Sequence, residues 1–500
     1  MKILMASSEM SSLARTGGLG DILETLPAAL RDSKADVSVV LPLYRSIREN
    51  PRIRLRDTGV EFRVQIGGKS VDAGVFETVA PNGTQVFLIR RDEYFDRSGI
   101  YGVDGRDYAD NAERFIFFSK AFVELSRRME PAPDILHVHD WQTALVPALV
   151  REWGVPFKTV LTIHNLAYQG NFHSYDFGFT NLPGSYFSAW GLEFFGNLNL
   201  LKGGILFADA VTTVSEPYFR EIQTPEAGCG LHNVVRENAG KFHGILDGAD
   251  YSVWNPATDN YLPEKFSSDS LAGKRICRNR LLERVELDPE PSGPVFGMVT
   301  RLAEQKGFDI LLPVLDRMLA DDVRLIILGA GDPGYETELR LHLMKHRGRF
   351  AYVHEHDEEL SHWIEAGSDI ALIPSRFEPS GLTAIYSLKY GTLPIARAVG
   401  GLSQIIRDFD PVTDTGWGFL FYNYSAAAFW DAIKRARFQY VDQTVWQELM
   451  QRAMSQDFSW KSAAAEYTKL YRKLAPEKPK PAALEPKAKV DEEEAAVVTA

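Results

Sequence analysis

The sequence predicts two doubly wound α/β domains in tandem. Short apolar runs alternate with helical patterns through the first half, and a second series of the same kind begins near Val295. Between them, residues 255–293 are polar, with prolines at the ends of the segment. A length of 500 residues corresponds to about three domains by simple division, and two large α/β domains fit it equally well. The 45% hydrophobic and 24% charged composition describes a globular chain with an ample core. A formal net charge of −12 argues against nucleic acid and anionic membranes as general partners, while leaving room for a local basic pocket.

In the first half the expected strands are Ile3–Ala6, Val37–Leu41, Ile135–Val138, Val160–Ile163 and Ala210–Val214. Such near-continuous apolar runs belong to a parallel sheet covered on both faces. Residues 52–90 break the rhythm. Val60 to Val64 alternates with period two, and Asn82-Gly83 is a hairpin signal before Val86–Ile89. This reads as a β-rich insertion at one side of the first sheet. The second series has strands at Val295–Val299, Leu325–Leu328, Ile370–Ile373 and Leu393–Ala396, with the domain junction in 255–293 or slightly before. Two such domains place a ligand cleft between them, at the carboxyl ends of the strands. Residues 475–500 are dominated by proline, lysine, glutamate and alanine, and are expected to be a disordered, solvated tail. The two cysteines, Cys229 and Cys277, form no C-x-x-C pair, so neither a disulfide framework nor a cysteine zinc site is expected. The N-terminal apolar run is too short for a signal-peptide core, and no stretch has the length of a membrane span, so the expected location is the cytoplasm.

Chemistry-bearing motifs follow the expected strands. Ala14-Arg15-Thr16-Gly17-Gly18-Leu19-Gly20-Asp21 lies between Ile3–Ala6 and a helical pattern from Ile22 to Leu30. A glycine-rich turn at a helix N-terminus suits an anion, and Gly17 and Gly18 put no Cβ in the way of a phosphate. It is neither G-x-G-x-x-G nor a Walker A loop. Arg301 and Lys306 follow Val295–Val299, where two cations would neutralise a departing pyrophosphate; a pair of surface charges is the alternative. Glu378 precedes Gly381-Leu382-Thr383, a second helix N-terminus suited to phosphate. A carboxylate repels phosphate, so a sugar hydroxyl is its better partner, unless it merely caps the helix. His137-Val138-His139-Asp140-Trp141-Gln142 and Thr162-Ile163-His164-Asn165 close two further strands. The two histidines of the first group point the same way only if that strand continues, and no carboxylate cluster completes a metal set.

Together these motifs resemble the bacterial glycogen synthases and plant starch synthases. The resemblance runs from Met1 to about Leu474. It includes Tyr94–Arg97, Asp110–Phe115, Thr162–Gly170, Gly191–Gly196, Val211–Ser215, Trp254–Pro256, Gly400-Gly401-Leu402 and Asp457–Trp460. It implies the GT-B architecture: two Rossmann-like domains, 1–250 on the acceptor side and 251–457 on the nucleotide-sugar side, with a last helix at about 458–474 crossing back. The implied reaction moves glucose from ADP-glucose to the non-reducing end of an α-1,4-glucan, with retention of configuration and no metal or other cofactor. By resemblance Arg301 and Lys306 contact the pyrophosphate, His164 lies against the reacting sugar, and Glu378 is the essential carboxylate. The expected donor- and substrate-binding set is Arg15, Gly17, Gly18, Asp21, Asp140, Asn165, Asp247, Ser380, Gly381, Leu382 and Thr383. Arg301 and Lys306 on one side of the site and Glu378 on the other would match an anionic leaving group and a cationic transition state.

Five positions depart from the family pattern: Arg15 for lysine, Gln142 for histidine, Asp247 for asparagine, Ser380 for cysteine and Ala384 for glutamine. All lie in motifs that line the expected cleft. With Arg301, Lys306 and Glu378 retained, drift within a branch that keeps the reaction is the favoured reading. A non-catalytic or weakly catalytic glucan-binding homologue, or a transferase using UDP-glucose, is the alternative.

Overall fold

The computed structural model describes residues 1–103, 105–355 and 357–475; the tail expected from 475 onward otherwise lies outside the described residues. Two parallel sheets dominate. In the first, the spatial order is Phe242–Gly244, Ala210–Thr213, Lys158–Ile163, Ile135–His139, Lys2–Ala6, Asp36–Pro42, Gln85–Arg90, Lys69–Val79, Arg56–Ile66. All neighbours are parallel as far as Gln85–Arg90, and the last two strands extend that edge antiparallel. The expected β-rich insertion is therefore a long hairpin continuing the same sheet. The second sheet runs Phe350–Val353, Arg324–Leu328, Val295–Val299, Ile370–Ile373, Leu393–Arg397, Phe419–Phe421, all parallel.

Counting the parallel strands in chain order, both sheets run 3-2-1-4-5-6, with a seventh at the end of the first. In each, the order reverses between strand 1 and strand 4, and the crevice outside the carboxyl ends at that point is where such sheets take ligands. In the first sheet the reversal lies between Lys2–Ala6 and Ile135–His139, and in the second between Val295–Val299 and Ile370–Ile373. The strands meeting there, such as Ile135–His139, are buried along nearly their whole length, which is why they read as unbroken apolar runs.

The first helix, Gly18–Asp32, buries Leu19, Ile22, Leu23, Leu26 and Leu30, a stripe at helical spacing. Asp21 in its first turn and Arg31 in its last complement the dipole. The segment 255–293 is not only a polar junction. It contains the helix Ala272–Arg284, which buries Cys277, Leu281 and Leu282 against the second sheet's elements. Its buried Lys274 ammonium donates to the carbonyls of Ala366 and Tyr390 and to the Thr392 hydroxyl.

The chain crosses between the two halves twice, side by side. The Ala249 N–H donates to the Phe458 carbonyl at 2.8 Å. The last helix, Trp460–Leu474, then packs on the first sheet's core through Trp460, Ala463, Ala464, Tyr467, Leu470 and Tyr471. There the Tyr471 hydroxyl is hydrogen-bonded to His137 Nδ1 at 2.7 Å.

Candidate active site

The glycine loop is organised by a residue that the sequence motifs did not single out. Glu9 follows the first strand and is only 3% exposed. Its carboxylate accepts from the N–H groups of Thr16 (2.7 Å) and Gly17 (2.9 Å), the Thr16 hydroxyl (2.8 Å) and the Tyr101 hydroxyl (2.6 Å). The Gly17 amide is thus held by a protein carboxylate. Space remains at the turn, since a Cβ on Gly17 or Gly18 would meet nothing within 4 Å. Beside it, Arg15 pairs with Asp21 at 2.9 Å, and the Ser11 hydroxyl donates to the same carboxylate at 2.6 Å. Burial nevertheless raises the Asp21 carboxyl above its ordinary range.

At the adjoining strand ends, the strand Ile135–His139 does continue, and the His137 and His139 rings lie together with centroids 4.2 Å apart. His137 Nε2 is bonded to the Thr162 hydroxyl, and His139 Nδ1 lies 3.0 Å from His164 Nε2. Burial holds all three rings neutral, with neighbouring imidazoles adding to the shift at His137 and His139: His137 and His164 are pushed down to about 3, and His139 well below the usual histidine range. Asp140 sits in the left-handed region at φ 57°, a conformation that aspartate tolerates better than most residues. That turn lets its carboxylate accept the His164 N–H at 2.8 Å. Asn165 uses its side-chain oxygen for the Ala167 amide.

In the second half, Lys306 lies on one turn of 3-10 helix (Glu304–Lys306), after Val295–Val299. Gly307 follows at φ +81°, where a Cβ would run into the Pro374 carbonyl, so only glycine lets this loop lie on the 374–383 loop. The Arg376 N–H donates to the Gln305 carbonyl at 2.8 Å across that contact. The result is a direct ion pair: Lys306 Nζ donates to Glu378 Oε2 at 2.7 Å, and the Ser375 hydroxyl donates to the same oxygen at 2.9 Å. The expected arrangement, cations on one side and Glu378 on the other, is therefore corrected. Lys306 and Glu378 share one side and neutralise each other, and Arg301 stands exposed in the same loop.

Gly381 caps the helix Leu382–Lys389 at φ +94°, with Thr383 in the first turn. Behind it, Gly401 donates its N–H to the carbonyls of Glu378 and Pro379, an approach that leaves no room for a side chain. The two halves meet here. The Ser215 hydroxyl donates to the Pro379 carbonyl (2.7 Å), the Gly400 N–H donates to Glu221 (2.7 Å), and Leu382 packs against both cores. Asp247 is 3% exposed and near Ser380. Burial pushes its carboxyl up to about 8, and the charge of Asp140, itself raised to about 7 by burial, adds to the shift.

Matches to known proteins cover the same ground. A family model described as the starch synthase catalytic domain matches residues 2–237, and one described as glycosyl transferases group 1 matches residues 280–437. A glycogen synthase of Koribacter versatilis (strain Ellin345) is 44% identical over 95% of this chain and 98% of its own length. The chain belongs to the glycogen and starch synthase family. A second glycogen synthase, from Opitutus terrae (strain DSM 11246 / JCM 15787 / PB90-1), is 45% identical over 94% of this chain and 99% of its own. Among solved structures, the catalytic domain of starch synthase IV from Arabidopsis thaliana, bound to ADP and acarbose, superposes with a TM-score of 0.87. It is 33% identical, over 95% of this chain and 99% of that one. A sucrose-phosphate synthase from Thermosynechococcus elongatus shares the fold (TM-score 0.58, 17% identity, 95% of this chain and 98% of that one). The chain is thus a retaining glycosyltransferase of the GT-B architecture, acting on a nucleotide-sugar and a glucan. No described helix is long and apolar enough to cross a membrane.

Proposed function

We propose that this synthase transfers glucose from ADP-glucose to the non-reducing end of an α-1,4-glucan, retaining the anomeric configuration without a metal. The Lys306–Glu378 ion pair carries the proposal. It stores, in one contact, a cation for the leaving diphosphate and a carboxylate for the sugar. An incoming donor would draw Lys306 onto its diphosphate beside Arg301, and would free Glu378 to hold the glucose and favour the developing positive charge. Gly18 and the first turn of Leu382–Lys389, with Gly381 and Thr383, would supply backbone amides to the phosphates. His164, Asp140, Asn165 and Asp21 would line the sugar side, with Arg15 held by Asp21. Residues 1–250 with the returning helix would form the acceptor side and 251–457 the donor side, in the cytoplasm. The ADP and acarbose in the Arabidopsis relative support both halves of this reading.

The test is release of nucleoside diphosphate from ADP-glucose or UDP-glucose, with glycogen as acceptor. Release with ADP-glucose supports the proposal. Release only with UDP-glucose transfers donor choice to the five departures. No release, from protein that still binds glucan, replaces the proposal with a glucan-binding role.

A further inference from the structure

A second group of chemistry-bearing side chains lies apart from the motifs of the cleft, on two helices of the second half. Asp316 is in the third turn of the helix Phe308–Leu319. It faces His342 and His346, one helical turn apart at the end of Pro333–Lys345. Asp316 Oδ1 lies 3.0 Å from His342 Nδ1 and 2.7 Å from His346 Nε2. The imidazole planes are within 12° of parallel. The three ligand-capable atoms all lie within 4.8 Å of one another.

Two imidazole nitrogens at i and i+4 with one carboxylate oxygen form a donor set suited to zinc and its first-row neighbours. On a tetrahedral ion with bonds of about 2.0–2.1 Å, ligand atoms stand about 3.3 Å apart. The two Asp316–imidazole separations fall short of that by about 0.3 and 0.6 Å, a shift that side-chain rotation supplies. The backbone of the two helices already sets the ligand positions. Lys345 is the competitor: its ammonium pairs with the other oxygen of Asp316, but the side chain is 59% exposed and can move into solvent.

We propose that Asp316, His342 and His346 bind a divalent cation of the zinc class, with water completing the coordination. The bound ion would staple two neighbouring helices at one end. The helix Phe308–Leu319 starts directly after Lys306-Gly307, so the staple fixes the far end of the helix behind the donor loop. The ion takes no part in glucosyl transfer.

The experiment uses the full, untagged chain, stripped with chelator and titrated with zinc chloride by calorimetry. One equivalent of zinc should bind, and zinc should raise the melting temperature. Loss of a partner one shell further out already weakens metal sites about 10–100-fold, so His342→Gln and His346→Gln should each weaken binding at least tenfold. His354→Gln, elsewhere in the same half, should leave it unchanged. Lys345→Met removes the competing cation at an exposed position and should tighten binding, a readout that survives if the histidine variants fail to fold. Absence of stoichiometric uptake, uptake indifferent to both histidine variants, or no tightening with Lys345→Met would each overturn the proposal and leave a hydrogen-bonded cluster.

Discussion

Asp247 stands where the family has asparagine, and its surroundings explain how an acid is tolerated there. Buried, near Ser380 and beside the charge of Asp140, its carboxyl is raised to about 8. At pH 7 it is therefore about one-tenth ionised, and at pH 9 about nine-tenths, since one pH unit is a tenfold change in the ratio. For most of the physiological range Asp247 is a neutral acid, close in shape to asparagine and able to donate a hydrogen bond. The perturbation is Asp247→Asn. Wild-type kcat/KM for the donor should fall roughly tenfold between its plateau and pH 9, as the neutral form disappears. The variant should lack that alkaline limb. Stability follows the same linkage. The folded-state value lies above the unfolded one, so the penalty is absent below the unfolded pKa of about 3.9, grows as pH rises, and is complete above about 8. At pH 7 it amounts to at most about 4 kcal/mol, from roughly three units at 1.36 kcal/mol each. Urea unfolding of both proteins at pH 5 and pH 8 measures it, and Asp247→Asn should gain more at pH 8. An unchanged alkaline limb together with an unchanged unfolding midpoint would refute a neutral Asp247.

Three further outcomes are expected. Glu378→Gln keeps the volume and removes the charge, so glucan elongation should drop by about a thousandfold or more while the circular dichroism spectrum is retained. Lys306→Ala should raise the donor KM and lower kcat, with a combined loss of at least about tenfold for one charge-assisted contact; unchanged donor titrations would make the lysine a bystander. Gly401→Ala drives a methyl group into the Ser380 carbonyl and should destabilise the chain by about 2 kcal/mol or more, read as a lowered melting temperature.

The buried parallel strands were legible in the sequence to within one or two residues, because a strand covered on both faces is an unbroken apolar run. Other strands gave no such signal: the edge strands Phe350–Val353 and Phe419–Phe421 are short, and Lys69–Val79, inside the antiparallel extension, mixes glycine and aspartate into its alternation. Ala272–Arg284 hid behind its own charges, since five of its thirteen residues are arginine or lysine, yet Lys274 is buried by spending its ammonium on carbonyls. The site motifs were visible because each follows an apolar run at a strand's carboxyl end. Contacts between motifs were not visible. Lys306 and Glu378 are 72 residues apart, and nothing in their spacing says that they touch. Glu9 was readable in principle, as a carboxylate directly after the first strand and within reach of the glycine turn. That it folds back onto that turn's own amides is a matter of three-dimensional geometry.

The helix that returns from the end of the chain sets a timetable for synthesis. His137 waits for Tyr471, made 334 residues later. At about 5–20 residues per second, that partner leaves the ribosome roughly 15 to 70 seconds after the histidine does. Throughout that interval the face of the first sheet meant for Trp460, Tyr467 and Tyr471 lies bare. A nascent chain stalled late in this window would present that apolar face to chaperones, so premature termination between residues 245 and 460 should yield an insoluble product even though the whole first sheet has been made.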